Sequence, residues 1–226
     1  LANQSVVLNT ATAGYTVYYT LDGSDPLNST TFVYAGNAVT VGSQAPVTSG
    51  LAWIRTNPVE ITNGVPTAAW QAPIGSVPKA VVLRAVTISG NACSPETRGT
   101  YFVGAQFTNR VLPVVSLFTD TNNLFGFTSG VYVPGKYYAD SPEGYGSNKW
   151  GKPHANYHQD SNGVSWEHPV QIELFETNQA AAALSLQMGV AMHGGGTRAI
   201  PQKTLYLLAR LGEYGTDNVN YKLFPD

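Results

Sequence analysis

Thr16-Val17-Tyr18-Tyr19-Thr20-Leu21-Asp22-Gly23-Ser24-Asp25-Pro26 sets the reading of the first half of the chain. Tyr15 to Thr20 are β-branched or aromatic throughout except for their polar tips, the composition of a strand. Asp22-Gly23 supplies the positive φ of a tight turn, and Asp25-Pro26 starts another. Both aspartates read as turn-forming residues whose carboxylates accept backbone N–H groups, ahead of any calcium or catalytic role. Outward from this stretch, Ser5–Leu8, Thr31–Tyr34, Ala38–Val41 and Ala80–Ile88 are further short strands, separated by Gly, Asn and Pro clusters. Ser89-Gly90-Asn91 is a hairpin turn into Glu96–Val103. No window sustains helical periodicity, and short strands punctuated by turns predict a sandwich.

Composition narrows the function. Among 226 residues the charged fraction is 12%, about half the globular norm, and the net charge is −2. No basic field exists to attract nucleic acid or anionic lipid. No apolar run approaches the roughly 18 residues of a membrane span. A single cysteine, Cys93, excludes an intrachain disulfide and reads as a small buried hydrophobe. Tyr, Thr, Ser, Asn and Gly carry the polarity instead, a balance common in proteins outside cells. The abrupt ends read as cuts.

The Thr16–Pro26 stretch, with Val82-Leu83-Arg84-Ala85-Val86 and Thr100-Tyr101-Phe102-Val103, resembles the chitobiase/β-hexosaminidase C-terminal-type domain. The resemblance implies an immunoglobulin-like β-sandwich over 1–104 that sits beside a catalytic domain and carries no catalytic residues. Gly42–Pro78 reads as an insertion into it, holding Trp53 and Trp70. Those two rings are candidates for a sugar-stacking platform, though buried or interface aromatics are the plainer reading.

Residues 105–111 are expected to be a linker. Beyond it, Leu112–Asp120 reads as a buried strand from its apolar run, Thr121–Phe125 as a turn, and Gly130–Pro134 as a short strand. Lys136–Asp160, rich in Gly and Pro, reads as one long loop. Val170, Ile172 and Leu174 alternate on one face of a strand, which puts Glu173 at a solvated edge. Leu186–Met192 and Thr204–Ala209 are strands around the Gly194–Gly196 turn, and Asn178–Leu184 hints at a helix.

Five pieces in order, Leu112–Leu117, Asn123–Phe125, Gly130–Val133, Trp166–Val170 and Met192–Leu205, resemble the N-terminal part of the spore-coat-H (CotH) kinase family. The fold expected is therefore mostly β: an immunoglobulin-like sandwich, then a partial α+β kinase-like domain over 112–226, rich in antiparallel strands. The resemblance implies a secreted or cell-surface bacterial parent that is an ATP-dependent protein kinase, with ATP and Mg as its cofactors.

Phosphoryl transfer needs free backbone N–H groups near the phosphates, a neutralising cation, and carboxylates for Mg²⁺ and the acceptor. Gly194, Gly195 and Gly196 are candidates for the first, and Arg198 and Lys203 for the second. Lys203 at a strand start is otherwise a solvated side chain. Glu173 and Glu176 are weaker candidates for a Lys–Glu pair. No catalytic residue is assigned, because the family's acidic residues are expected downstream, so this stretch alone is expected to be inactive.

His154 and His158 are spaced for zinc on a helix but lie in loop-like sequence, and Asp160-Ser161-Asn162-Gly163 reads as a turn before a calcium loop, so no metal is assigned. His168 and His193 read as structural. The alternatives to a kinase parent are a structural, assembly or adhesion module with protein partners, and glycan binding by the sandwich.

Overall fold

The computed structural model describes residues 1–10, 13–28, 31–48, 50–57, 60–62, 65–67, 71, 74–140, 155–158, 160–161, 164–177 and 179–223. In chain order the strands are β1 (Gln4–Val6), β2 (Thr16–Thr20), β3 (Phe32–Val33), β4 (Val39–Val41), β5 (Glu60–Thr62), β6 (Val65–Thr67), β7 (Val81–Ser89), β8 (Ala92–Cys93), β9 (Thr97–Tyr101), β10 (Val114–Phe118), β11 (Asp160–Ser161), β12 (Val164–Ser165), β13 (Glu167–Phe175), β14 (Leu184–His193) and β15 (Thr204–Leu208). The helices are α1 (Thr121–Phe125), α2 (Gly135–Ala139) and α3 (Leu211–Tyr214). The protein is mostly β, and its registered strand pairs are antiparallel.

The chain forms two compact units that interleave in sequence. The first holds Leu1–Val47, Ser76–Ser116 and Glu173–Ala183; the second holds Thr48–Gly75, Leu117–Ile172 and Leu184–Asp226. Two of the boundaries fall inside β10 and β13, and most of the stretch read as an insertion joins the second unit.

In the first unit β7 is central, pairing with β2, β8 and β9, while β3 forms the edge beyond β2. β1 and β4 make a separate two-stranded sheet. Val17, Leu83 and Ala85 of the larger sheet share a core with Val41 and the half-buried Val6 of the smaller one. The period-2 alternation of β7 puts Val81, Leu83 and Ala85 on one face, as a sandwich requires. A second cluster packs Phe102, Phe107 and Phe175 edge to face, with Phe102 ring centroids 5.1 Å from Phe107 and 4.8 Å from Phe175. The expected linker thus contributes a buried ring, Phe107, and Arg110 lies 4.7 Å over the Phe102 ring. Cys93 is exposed rather than buried, because it ends the two-residue β8.

Glu173 is buried at 7% exposure, which corrects the solvated-edge reading. Val170 to Phe175 are all buried, so period-2 alternation does not separate a wet face from a dry one there. The Glu173 carboxylate accepts the Thr100 N–H at 2.9 Å, within the first unit. Its negative charge also helps hold the Tyr101 phenol above its ordinary pKa, although burial is the larger cause.

A four-stranded sheet has the order β10-β13-β14-β15, and β14 and β15 lie wholly in the second unit. Val170, Ile172, Met188 and Val190 form one cluster, and Val131, Ala155, Tyr157 and Met192 another. Five local readings of the chain beyond residue 111 are corrected. Thr121–Phe125 is a short helix, α1, because the Asp120 carboxylate caps it by accepting the Asn122 N–H at 2.8 Å. Gly130–Pro134 is not a strand, because the Val131 and Tyr132 N–H groups donate to Asn123 and Leu124 of α1 at 3.0 and 2.8 Å. Lys136–Ala139 lie in α2, so the long loop begins later, and its residues 141–154 lie outside the described residues. No helix covers 179–183, where the chain bends into β14. The strand expected at Leu112–Asp120 exists as β10 but is only partly buried, with Val115 50% exposed.

Asn156 ties down this irregular region. It is 1% exposed; its amide donates to the Phe127 and Gly130 carbonyls at 3.0 and 3.3 Å, and its side-chain oxygen accepts the Tyr137 N–H at 3.2 Å. Gly135, at φ +59°, passes so close that a Cβ there would overlap the Asn156 amide.

Candidate functional site

The sequence singled out two turns, one in each unit. In the first unit the Asp22 carboxylate accepts the Ser24 N–H at 3.0 Å and the Ser24 hydroxyl at 2.5 Å. Asp25 accepts the Leu27 N–H at 2.9 Å and the Asn28 amide at 2.8 Å. These bonds favour the charged carboxylates and lower both pKa values, through the Ser24 hydroxyl at Asp22 and the Leu27 N–H at Asp25. Both aspartates are thus turn formers.

The turn is locked to the sheet through Gly23 and by Thr20, Arg84 and Glu96, to which the sequence reading gave no such role. Gly23, at φ +80°, donates its N–H to the Val82 carbonyl at 3.0 Å, and Thr20 Oγ1 donates to the Ser24 carbonyl at 2.7 Å. Arg84 donates to the Gly23 carbonyl at 3.0 Å and forks onto Glu96 at 2.8 and 2.5 Å. Arg98 meets Glu96 at 3.1 Å. The signal for this clamp was available: Arg84 and Arg98 pair across β7 and β9, with Glu96 just outside.

The second turn joins β14 to β15. Gly194 adopts φ +100°, where a Cβ would collide with Thr197 Oγ1, and 196–199 make a 3-10 turn. Arg198 folds back onto it, donating Nε to the Gly194 carbonyl at 2.6 Å and Nη1 to the Tyr157 carbonyl at 3.3 Å. His158 Nε2 donates to the Gly195 carbonyl at 3.1 Å.

Lys203 is 7% exposed rather than solvated. Its Nζ donates to the Ile200 carbonyl at 2.7 Å and lies 4.5 Å from the Tyr157 ring centroid and 5.5 Å from that of Tyr132. Its N–H donates to the Tyr132 hydroxyl at 3.0 Å. Burial disfavours the ammonium form and pushes its pKa down to about 7. The structure therefore brings Gly194, Gly195, Arg198 and Lys203 together and adds Tyr132 and Tyr157, which sequence reasoning missed, and His158, which it had weighed only as a metal ligand. Nothing in their spacing reveals them, because three separate segments converge.

This arrangement does not fit a nucleotide phosphate. A phosphate cradle presents N–H groups and a cation outward. Here the Gly194 carbonyl, not an N–H, faces the Arg198 guanidinium, and Lys203 is enclosed by rings and the Ile200 carbonyl.

The remaining candidates lie elsewhere. His154, Trp70 and residues 162–163 lie outside the described residues. Trp53 is 55% exposed. His168 Nε2 donates to the Ser129 carbonyl at 3.0 Å, and the His193 ring sits 4.2 Å from that of Tyr206, so both are placed by structural contacts. Among the described residues no three His, Cys, Asp or Glu side chains gather as a metal site, and no helix is long and apolar enough to cross a membrane.

The family model of the chitobiase/beta-hexosaminidase C-terminal domain matches residues 1–94. The match takes in β1 to β8 and does not reach residues 112–226. No curated protein and no solved structure matches the chain.

Proposed function

We propose that the chain is a non-catalytic part of an extracellular protein. On this reading residues 1–104 are an accessory β-module, 105–111 connect it, and 112–226 are a scaffold domain that resembles the CotH kinases without performing their chemistry. The observation that carries it is the inward engagement of Arg198 and Lys203 by backbone carbonyls and tyrosine rings. A cation that must hold a transferring phosphoryl group has to meet solvent or nucleotide, and Lys203 instead directs its ammonium at the Ile200 carbonyl and the Tyr157 ring. The domain match at 1–94 supports the accessory role, since such modules accompany catalytic domains and carry no chemistry themselves. The low charge and high Tyr, Asn and Thr content support an extracellular setting and protein partners in a surface assembly.

The rival reading keeps Gly194–Lys203 as an ATP-phosphate loop that opens when nucleotide and Mg bind. Calorimetry with MgATP separates the two, on this chain and on a version extended past Asp226. The scaffold reading expects no heat of binding from either. Micromolar binding that both Arg198→Ala and Lys203→Ala abolish would overturn it.

A further inference from the structure

The edge of the first sheet carries an aromatic groove that neither turn uses. β3 is the edge strand, and its Phe32 ring is 52% exposed. That ring leans on Tyr19 across the β2–β3 pair, with centroids 5.3 Å apart and planes tilted by 31°. A cavity of about 310 Å³ opens beside them, lined also by Tyr34, Val39, Asn37 and Thr40. A second cavity of about 590 Å³, lined by Tyr15 and Asn9, shares Tyr34 with the first. None of the described lining residues of either cavity is charged.

We propose that this groove binds a neutral saccharide, with a pyranose face on Phe32 and Tyr19 and its hydroxyls on Asn37 and Thr40. The ring faces present partial negative charge to the polarised C–H groups of one sugar face. The amide and hydroxyl supply donors and acceptors for its rim. A purely apolar occupant would leave Asn37 and Thr40 facing hydrocarbon, and a charged one would find no counter-charge. The volume falls in the range of small-ligand sites. The Tyr34 hydroxyl is buried with no partner among the described residues. A small shift toward a sugar hydroxyl would satisfy it. The shared Tyr34 makes the two cavities successive subsites, so longer chains bind more tightly than a disaccharide. This site differs from the Trp53 and Trp70 platform expected from sequence. It goes beyond the scaffold reading, which needs no ligand, and the MgATP result does not bear on it.

The test is calorimetry of the whole chain with cellohexaose, chitohexaose and their disaccharides, with polygalacturonate as the anionic comparison. The proposal expects at least one neutral hexaose to bind at millimolar Kd or better and more tightly than its disaccharide. Phe32→Ala should weaken it about tenfold or more, equivalent to the loss of one well-stacked ring, and Asn37→Ala less. Phe127→Ala, an exposed ring in the other unit, should leave binding unchanged. Three results overturn the proposal: no neutral hexaose binding at about 10 mM, binding that Phe32→Ala leaves intact, or polygalacturonate preferred. Sedimentation adds a fourth: self-association abolished by Phe32→Ala would assign the groove to a second copy.

Discussion

The Asp22–Pro26 turn and the Gly194–Lys203 turn share a composition, glycines at positive φ with charged residues nearby, yet they use charge in opposite ways. In the first, exposed carboxylates accept N–H groups a few residues on, and water does most of the solvating. In the second, a half-buried Arg198 and a buried Lys203 donate to carbonyls, one of them from a distant segment. The difference is burial. An exposed charge in a local turn adds a few tenths to one kcal/mol whichever way it points, whereas a buried ammonium carries a penalty that depends on pH.

The sharpest way to break this comparison is therefore Lys203. With its pKa lowered from 10.5 to about 7 by burial, the folded chain gives up a proton that the unfolded chain keeps. Stability should then rise with pH between about 7 and 10.5, and the full penalty should apply below 7. At about 1.4 kcal/mol per pH unit, the gain from pH 7 to 9 is about 2 kcal/mol. Lys203→Met keeps the aliphatic stem and cannot titrate. Urea midpoints across pH 7–9 should climb for the wild type and lose that excess slope in the variant, which should also be more stable near pH 7. Equal slopes would place the ammonium in contact with water.

The next largest effect belongs to the first turn's clamp. Arg84 and Glu96 are both less than a fifth exposed, so their fork is worth more than a surface pair. Arg84→Met leaves Glu96 with Arg98 alone and removes the donor to the Gly23 carbonyl. A loss of about 2 kcal/mol is expected by chemical denaturation, with Glu96→Gln costing less. A loss below about 0.5 kcal/mol would show that the turn holds itself without the sheet.

What could be read from sequence follows the same division. The Asp-Gly turn, the β2 strand and the Ser89-Gly90-Asn91 hairpin were legible, because the chemistry that makes them lies within a few residues. α1 was half legible: Asp120 is a good helix cap, but a five-residue helix has no periodicity to read. The Gly130–Val133 segment has strand composition and still pairs with α1, a tertiary choice that composition does not encode. Glu173 failed for a related reason. Alternation predicts faces only where one face is wet, and Val170 to Phe175 have no wet face. Gly194, Arg198 and Lys203 are close in sequence and stay close in the fold, but the burial of Lys203 depends on Tyr132 and Tyr157, which no local pattern connects to it.

The smallest effect tests the local half of the comparison. Asp22→Ala removes two hydrogen bonds to Ser24 at an exposed site, and Thr20 and Gly23 still hold the turn. The cost should be about 0.5–1 kcal/mol, the range of a lost capping-type bond. Because its pKa is lowered in the folded chain, Asp22 stabilises above the ordinary carboxylate pKa and loses that contribution as pH falls through its folded value. The wild-type advantage over Asp22→Ala should therefore be constant from pH 5 to 8 and shrink in acid, below the ordinary carboxylate range. Asp22→Asn, which retains an acceptor for the Ser24 N–H, should recover most of the loss at neutral pH and show no acid dependence. If Asp22→Asn were as damaging as Asp22→Ala, the charge on the carboxylate, and not only its acceptor geometry, would be what holds Ser24.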